Sequence, residues 1–418
     1  MKARFKSACV AAVLAVLVVT LSAGAPAAAP QAAKKRALRE VIFVGSNWAG
    51  TVEVLRSRGK FKRITTIDVI PDIDERMGEI LLDPVRLGYF LAIRELVGEG
   101  NDQYVDDMYA TPDGKLLIAS RPSLADVVGI NLKTREIVWR FVVDGQRSDH
   151  MAISPNGKQV AVSASTGNVV HILDTKTGEE VGRFESGDSP HENTYSKNGK
   201  RIYHASIGLV YTPADDPVLD TSKGERYFQV VRRRDNKILT RVNMGEKLDE
   251  AGYPKKSASV RPMAISPDER FAYLQVSFFH GFVEYDLRRE KVIRVANLPI
   301  AEHVEDMPRE QYLLDSAHHG IAMNGRGTRL CVAGTMSDYA AIVSRKTFRY
   351  KRINAGLKPY WATTSNDGRN CLVSWSGSDT ISVISYRKRK EIANLPVGDH
   401  PQRIRMGNVR ASWIRAQQ

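Results

Sequence analysis

The stretch that decides the fold is RSDHMAISPNGKQVAVSASTGNVVHILDTKTGEEVGRFE, residues 147–185. Asp149-His150 leads into a short apolar run, Met151-Ala152-Ile153, which turns through Ser154-Pro155-Asn156-Gly157-Lys158. Runs from Gln159 to Ala164 and from Val169 to Leu173 follow, separated by Thr166-Gly167-Asn168. The turn Asp174 to Gly178 then leads to a last run ending at Phe184. The runs are short, rich in Val and Ile, and bounded by Gly, Pro, Asn, Asp or Ser, the pattern of strands joined by tight turns. The spacing predicts a four-stranded antiparallel meander.

Working outward, the same turn recurs along the chain. It reads Thr111-Pro112-Asp113-Gly114-Lys115, Ser196-Lys197-Asn198-Gly199-Lys200, Ser266-Pro267-Asp268-Glu269-Arg270, Asn324-Gly325-Arg326-Gly327-Thr328 and Ser365-Asn366-Asp367-Gly368-Arg369. Gly114, Gly157 and Gly199 are 43 and 42 residues apart, and Gly327 and Gly368 are 41 apart. Four strands in about forty residues is the size of one propeller blade. At the start, Glu40 to Gly45, Thr51 to Leu55 and Phe61 to Val69 read as second, third and fourth strands with no first strand before them. At the end, Pro401 to Met406 reads as a first strand with no blade after it. Joining the two fragments closes a ring and removes its exposed edges. The expectation is an all-β chain: a seven-bladed β-propeller of four-stranded antiparallel blades over residues 38–410, closed by the C-terminal strand.

The Ser-Pro-Asp/Asn-Gly-Lys turns, the strand Ile381-Ser382-Val383-Ile384-Ser385 and the phrase Leu395-Pro396-Val397-Gly398-Asp399-His400-Pro401 resemble the YVTN-repeat bacterial β-propellers. That resemblance spans about residues 38–410. It implies the seven-bladed fold and leaves function open among surface proteins, lactonase-like hydrolases and quinoprotein-dehydrogenase-like oxidoreductase components. Glu269 departs from the pattern by standing where the turn glycine belongs.

Residues 1–30 carry a basic start (Lys2, Arg4, Lys6), an apolar centre (Ala8 to Leu21) and a small-residue cleavage region (Ala23 to Ala27), which read as a secretory signal peptide. The expected location is extracytoplasmic, secreted, periplasmic or at the cell surface, as a monomer with no membrane anchor after cleavage. The net charge of +14 includes three positives from that segment, leaving +11. This balance suits anionic partners such as cell-wall polymers. Nucleic acid is excluded as a partner, because Lys and Arg are scattered through turns and export removes the chain from it. Cys331 and Cys371 fall in second strands of neighbouring repeats, where they could face one another between two sheets but read first as buried small hydrophobes, with no disulfide framework needed.

The remaining length lies in insertions at about residues 70–105, 207–225, 244–260 and 299–317, all placed by the strand order on one face. Within the first, residues 83–97 carry helical spacing begun by Asp83-Pro84 and stopped by Gly98. On the same face the first strands begin. Counting five back from each turn's Ser position gives Asp106, Asp149, His191, Arg261, His319, Tyr360 and Gln402. Counting four back gives Asp107, His150, Glu192, Pro262, Gly320, Trp361 and Arg403. Together they predict a polar, titratable funnel. Three readings compete for it. Asp106, Asp149, His150, His191 and His319 suit a divalent metal or acid–base work. Arg261, Arg403 and the histidines suit a small polar or anionic ligand. Alternatively the funnel is only wet. The best functional expectation is a ligand-binding or protein-interaction scaffold, with a lactonase-like hydrolase, an oxidoreductase component or a cell-wall surface module as alternatives. No cofactor is required by any motif, and no catalytic residue is singled out.

Overall fold

The computed structural model describes residues 37–210, 217–312, 314 and 316–417. The predicted signal peptide lies outside the described residues, and residues 211–216 of the second insertion do too. Leu38–Gln418 form one compact unit.

Seven antiparallel sheets of four strands each make up this unit, as the repeat spacing predicts. Their first strands are Pro401–Arg410, Met108–Ala110, Ser148–Ile153, Pro190–Tyr195, Val260–Ile265, Ile321–Met323 and Pro359–Thr364, for blades 1 to 7 in ring order. These strands contact one another around a closed ring. Closure is made by Pro401–Arg410 pairing with Leu38–Ser46, so that blade 1 joins the chain's end to its beginning.

Burial explains the strand sequences. Second and third strands are covered on both sides by neighbouring blades, so Val160, Ala161 and Val162 are all fully buried. Fourth strands form the outer rim and alternate: Glu180–Glu185 runs between exposed and half-buried positions until Phe184 packs inward. The turns are equally consistent. Ser154 Oγ donates to Asn156 Oδ1 (2.8 Å) and accepts from the Gln159 amide (3.0 Å). The same bonds form at Thr111, Ser196, Ser266 and Ser365. The fourth turn residue is left-handed, with φ of 68° at Gly157, a conformation glycine takes without steric cost. Glu269 takes it as well, at φ 52°, and its carboxylate accepts from the Lys197 amide of the preceding blade's turn (2.5 Å).

Cys331 and Cys371 are fully buried and joined by a disulfide between the second strands of blades 6 and 7, with Cα atoms 6.4 Å apart. Of the two arrangements open from the sequence, the cross-sheet pair is the one found.

The first insertion holds two helices, α1 (Ile73–Leu82) and α2 (Pro84–Leu96). The second was predicted. Asp83 caps it by accepting from the amides of Val85 and Arg86, and Pro84 occupies its first turn. The first was not predicted, although Ile73, Met77, Ile80 and Leu81 carry helical spacing; it has neither a proline in its first turn nor a side-chain N-cap bond to mark its start. Both pack on blade 2 through Ile80, Phe90 and Leu124. They are also clamped by charge: buried Arg121 binds Asp126 (2.7 Å) and Asp72 (2.5 Å), while Arg140 binds Asp126 (2.6 Å) and Glu79 (3.0 Å). The third insertion forms α3 (Met244–Glu250), whose Met244 and Leu248 enter the core between blades 4 and 5.

Candidate functional site

The start of the first strand is irregular in most blades. The ladder slips between Ser148 and Met151, Pro190 and Glu192, Val260 and Met263, and Pro359 and Trp361, and again where Pro401 to Ile404 meets blade 1. A bulge there breaks the strict alternation of side chains and re-aims two successive residues. In these five blades the positions five and four back from the turn sit on the bulges, and the two positions part company.

Six of the seven five-back residues, Asp106, Asp149, His191, Arg261, Tyr360 and Gln402, line one buried chamber of about 20 Å³, together with His150, Gln103 and Arg147; the seventh, His319, reaches it through His191, the two Nε2 atoms being 3.4 Å apart. Its roof is apolar and comes from three insertions: Val97 from the first, Ile207 and Val210 from the second, and Leu314 from the fourth. The insertion at 244–260 does not contribute, being absorbed into the blade 4–5 core. Of the four-back set, His150 joins the chamber wall, whereas Glu192, Trp361 and Arg403 form the floor. Trp361 and Glu192 face a wider channel of about 570 Å³ that opens on the turn-bearing side and contains the two-back ring Tyr109, Ala152, Thr194, Ala264, Ala322, Thr363 and Arg405. The bore is therefore two compartments, a capped chamber and an open channel.

Individual roles follow from the contacts. Asp107 is a structural anchor: its carboxylate accepts from the amides of Met108 (2.8 Å) and Met151 (3.1 Å) and from Arg405 (2.8 and 2.6 Å). Arg403 is fully buried in the floor, stacked over Trp361 at 3.8 Å and 3.6 Å from Asp106. Its Nη2 donates to His150 Nε2, and its Nε and Nη1 have no hydrogen-bond partner among the described residues. Arg261 ties down the roof, donating to Ser277 Oγ (2.9 Å) and to the Leu314 carbonyl. Arg147, which the sequence reading did not single out, donates to Asp149 Oδ2 (2.8 Å), Ser165 Oγ (3.0 Å) and Gln103 Oε1 (3.3 Å). Its only sequence signal is its place two residues before Asp149. The roof residues carry none, because an apolar side chain in a loop looks the same whether it faces a chamber or packs on a blade.

Three imidazoles converge at the chamber. His150, His191 and His319 each present a nitrogen within 4.8 Å of the others, and Asp106, Asp149 and His150 make a second such group. His191 Nε2 and His319 Nε2 are 3.4 Å apart. His319 Nδ1 donates to the Tyr360 carbonyl (3.3 Å), and His150 Nδ1 lies 2.8 Å from Glu192 Oε2. Burial holds all three histidines well below the ordinary imidazole range, helped by the guanidinium groups of Arg403 and Arg261 and by one another. They are therefore neutral near pH 7, with one lone pair each. Burial also pushes the Asp106 carboxyl up to about 7 against the pull of Arg403, and Glu192 up to about 8 against Arg403 and Arg405. Asp106 Oδ2 and His191 Nδ1 are buried without a hydrogen-bond partner among the described residues.

Elsewhere, His171 and His204 are packed strand histidines. His171 is bonded to Glu180 (3.3 Å) and the Asp144 amide (3.1 Å), and His204 to Asn193 (2.9 Å) and Ser186 (2.7 Å). Trp139 and Trp375 pack between blades, and Trp361 packs with Ile42, Leu372 and Ile381 while also facing the channel. No helix among the described residues is long and apolar enough to cross a membrane.

No family model and no curated protein matches the chain. Solved structures do match. One is a chain of the hydrazine synthase of Kuenenia stuttgartiensis, at a TM-score of 0.54 and 14% identity, over 71% of this chain and 88% of that one. At that identity the likeness is one of fold, and what these comparisons establish is a seven-bladed β-propeller.

Proposed function

We propose that this chain is an exported binding propeller that holds a small polar ligand in the capped chamber. One observation carries the reading: the same register position of successive first strands converges on a closed, roofed space in which Asp106 Oδ2 and His191 Nδ1 lack partners. Buried polar atoms left unpaired cost about 1–3 kcal/mol each, so their presence in a space of about 20 Å³ favours an occupant a few atoms in size. The roof supports this further. Three separate insertions converge there, whereas a merely wet bore would stay open.

Export rests on the basic and apolar pattern of residues 1–30 and draws support from the disulfide, since such bonds persist in oxidising compartments. The resemblance of the repeats to YVTN propellers fits a surface or periplasmic role. Thermal unfolding of the purified chain with a panel of small organic acids, oxyanions and divalent cations tests the chamber. A ligand at a hundred times its Kd should stabilise the wild type by about 2.7 kcal/mol and leave His191→Ala/His319→Ala unmoved. If no compound shifts the wild type, or both proteins shift equally, the chamber is not the binding site.

A further inference from the structure

Resting on that reading of the chamber, we infer that its occupant is a borderline divalent transition metal, held between His191 Nε2 and His319 Nε2, with His150 as third imidazole and the Asp106 carboxylate, which groups with His150, on that side of the ion.

Geometry comes first. Two nitrogens each bound at about 2.0–2.1 Å to a tetrahedral ion stand about 3.3–3.4 Å apart. The His191 and His319 Nε2 atoms are 3.4 Å apart. As a direct hydrogen bond between two imidazoles this is long, beyond the usual 2.7–3.2 Å. As an ion's bite it needs no adjustment.

The hydrogen bonds fix which nitrogen is free. A carbonyl oxygen only accepts, so the Tyr360 carbonyl requires the proton of His319 on Nδ1, which leaves Nε2 with its lone pair. A guanidinium only donates, so Arg403 requires His150 Nε2 to be the unprotonated atom and puts the His150 proton on Nδ1, toward Glu192 Oε2. His191 has no partner at Nδ1, so its proton can sit there and free Nε2. All three histidines then present Nε2, and two carry a second-shell acceptor, a carboxylate for His150 and a backbone carbonyl for His319. That is the outer-shell arrangement of histidine metal ligands. Arg403 occupies the His150 lone pair here with a positive charge of its own; an ion would displace that single N–H, leaving the guanidinium on the face of Trp361.

The donor set selects the metal. Neutral imidazoles with one carboxylate suit zinc, copper, cobalt or iron rather than magnesium or calcium, which take oxygen ligands. The chamber volume of about 20 Å³ leaves room for about one water beside the ion.

The test uses the full chain after chelator treatment, titrated with Co²⁺ and read by visible ligand-field bands. One equivalent should bind, and His191→Ala and His319→Ala should each abolish stoichiometric binding. Glu192→Gln should weaken it about 10–100-fold, the usual effect of losing a second-shell partner. Because replacing a buried imidazole can also unfold the chain, the wild type loaded with Cu²⁺ should independently show imidazole nitrogen couplings in pulsed electron paramagnetic resonance. Absence of Co²⁺ binding by the wild type, unchanged binding in both histidine variants, or absence of imidazole couplings would each overturn the metal. If small oxyanions still stabilise the wild type and not the chamber variant, the metal assignment falls alone. If neither class binds, the chamber reading falls with it.

Discussion

Breaking the bond between Cys331 and Cys371 should cost this propeller a large share of its stability. The two cysteines are 40 residues apart, one blade's length. In the chain-entropy description, closing a loop of that size removes about 13 cal/mol/K from the unfolded ensemble, about 4 kcal/mol at 25 °C. That is roughly a thousandfold in the ratio of folded to unfolded chain. Both sulfurs are buried against Val373, Trp375 and Ile384, so the folded blades keep their packing when the bond is reduced and the effect falls on the unfolded chain. With a denaturant slope of about 3 kcal/mol/M, the urea midpoint should drop by about 1.3 M. The assay is tryptophan fluorescence in urea for oxidised protein and for protein refolded in a strong reductant, with peptide mapping to confirm the Cys331–Cys371 linkage. Coincident curves for the two forms would refute the reasoning, and so would a map in which these cysteines are unlinked.

Acid should destabilise the fold through its buried neutral histidines. Burial holds His204 at about 3 against an ordinary 6.5, so the unfolded chain binds the extra proton first. The stability is fully present above about pH 6.5 and drains as pH falls toward 3, with about 2 kcal/mol lost by pH 5; His280 and His400 act in the same direction. Comparing urea midpoints at pH 7.5 and pH 5, His204→Gln should shrink the difference by that amount, and an unchanged difference would count against it. Arg121→Ala strips a fully buried cation from Asp72 and Asp126 and should cost about 3 kcal/mol, the scale for breaking a buried pair. Limited proteolysis should then cut first within residues 73–96, and a wild-type cleavage pattern would show that the clamp does not hold the helices.

The blade frame was legible because its causes are local. Turn chemistry around Ser154, Asn156 and Gly157 repeats within each unit, and the two-sided burial of second and third strands requires unbroken Val, Ile and Ala runs such as 160–162. The missing first strand before Leu38 and the surplus one at Pro401 even disclosed the closure. The site was half legible. Residues such as Asp149 and His191 could be ranked by register, but which of two successive positions faces the chamber depends on the bulges at 148–151, 190–192 and 359–361, and a bulge leaves no mark in a single strand's sequence. Six of the five-back residues therefore line the chamber, and His150 with them, while Glu192, Trp361 and Arg403 form the floor. The partition of the bore was invisible for a similar reason, since Arg403 and Trp361 meet only when blades 1 and 7 do.

That meeting has a consequence for how the protein comes into being. Gln402 bonds to Asn47 across 355 residues of sequence, Arg405 to Asp107 across 298 and Arg403 to His150 across 253. The floor and part of the wall thus arrive with the last of the ring's strands to be synthesised. No nascent chain or fragment lacking that strand can hold a completed chamber, however well its other blades have formed. Occupancy of the site would accordingly report on the integrity of the whole ring, and ligand bound there would favour ring closure over every open intermediate.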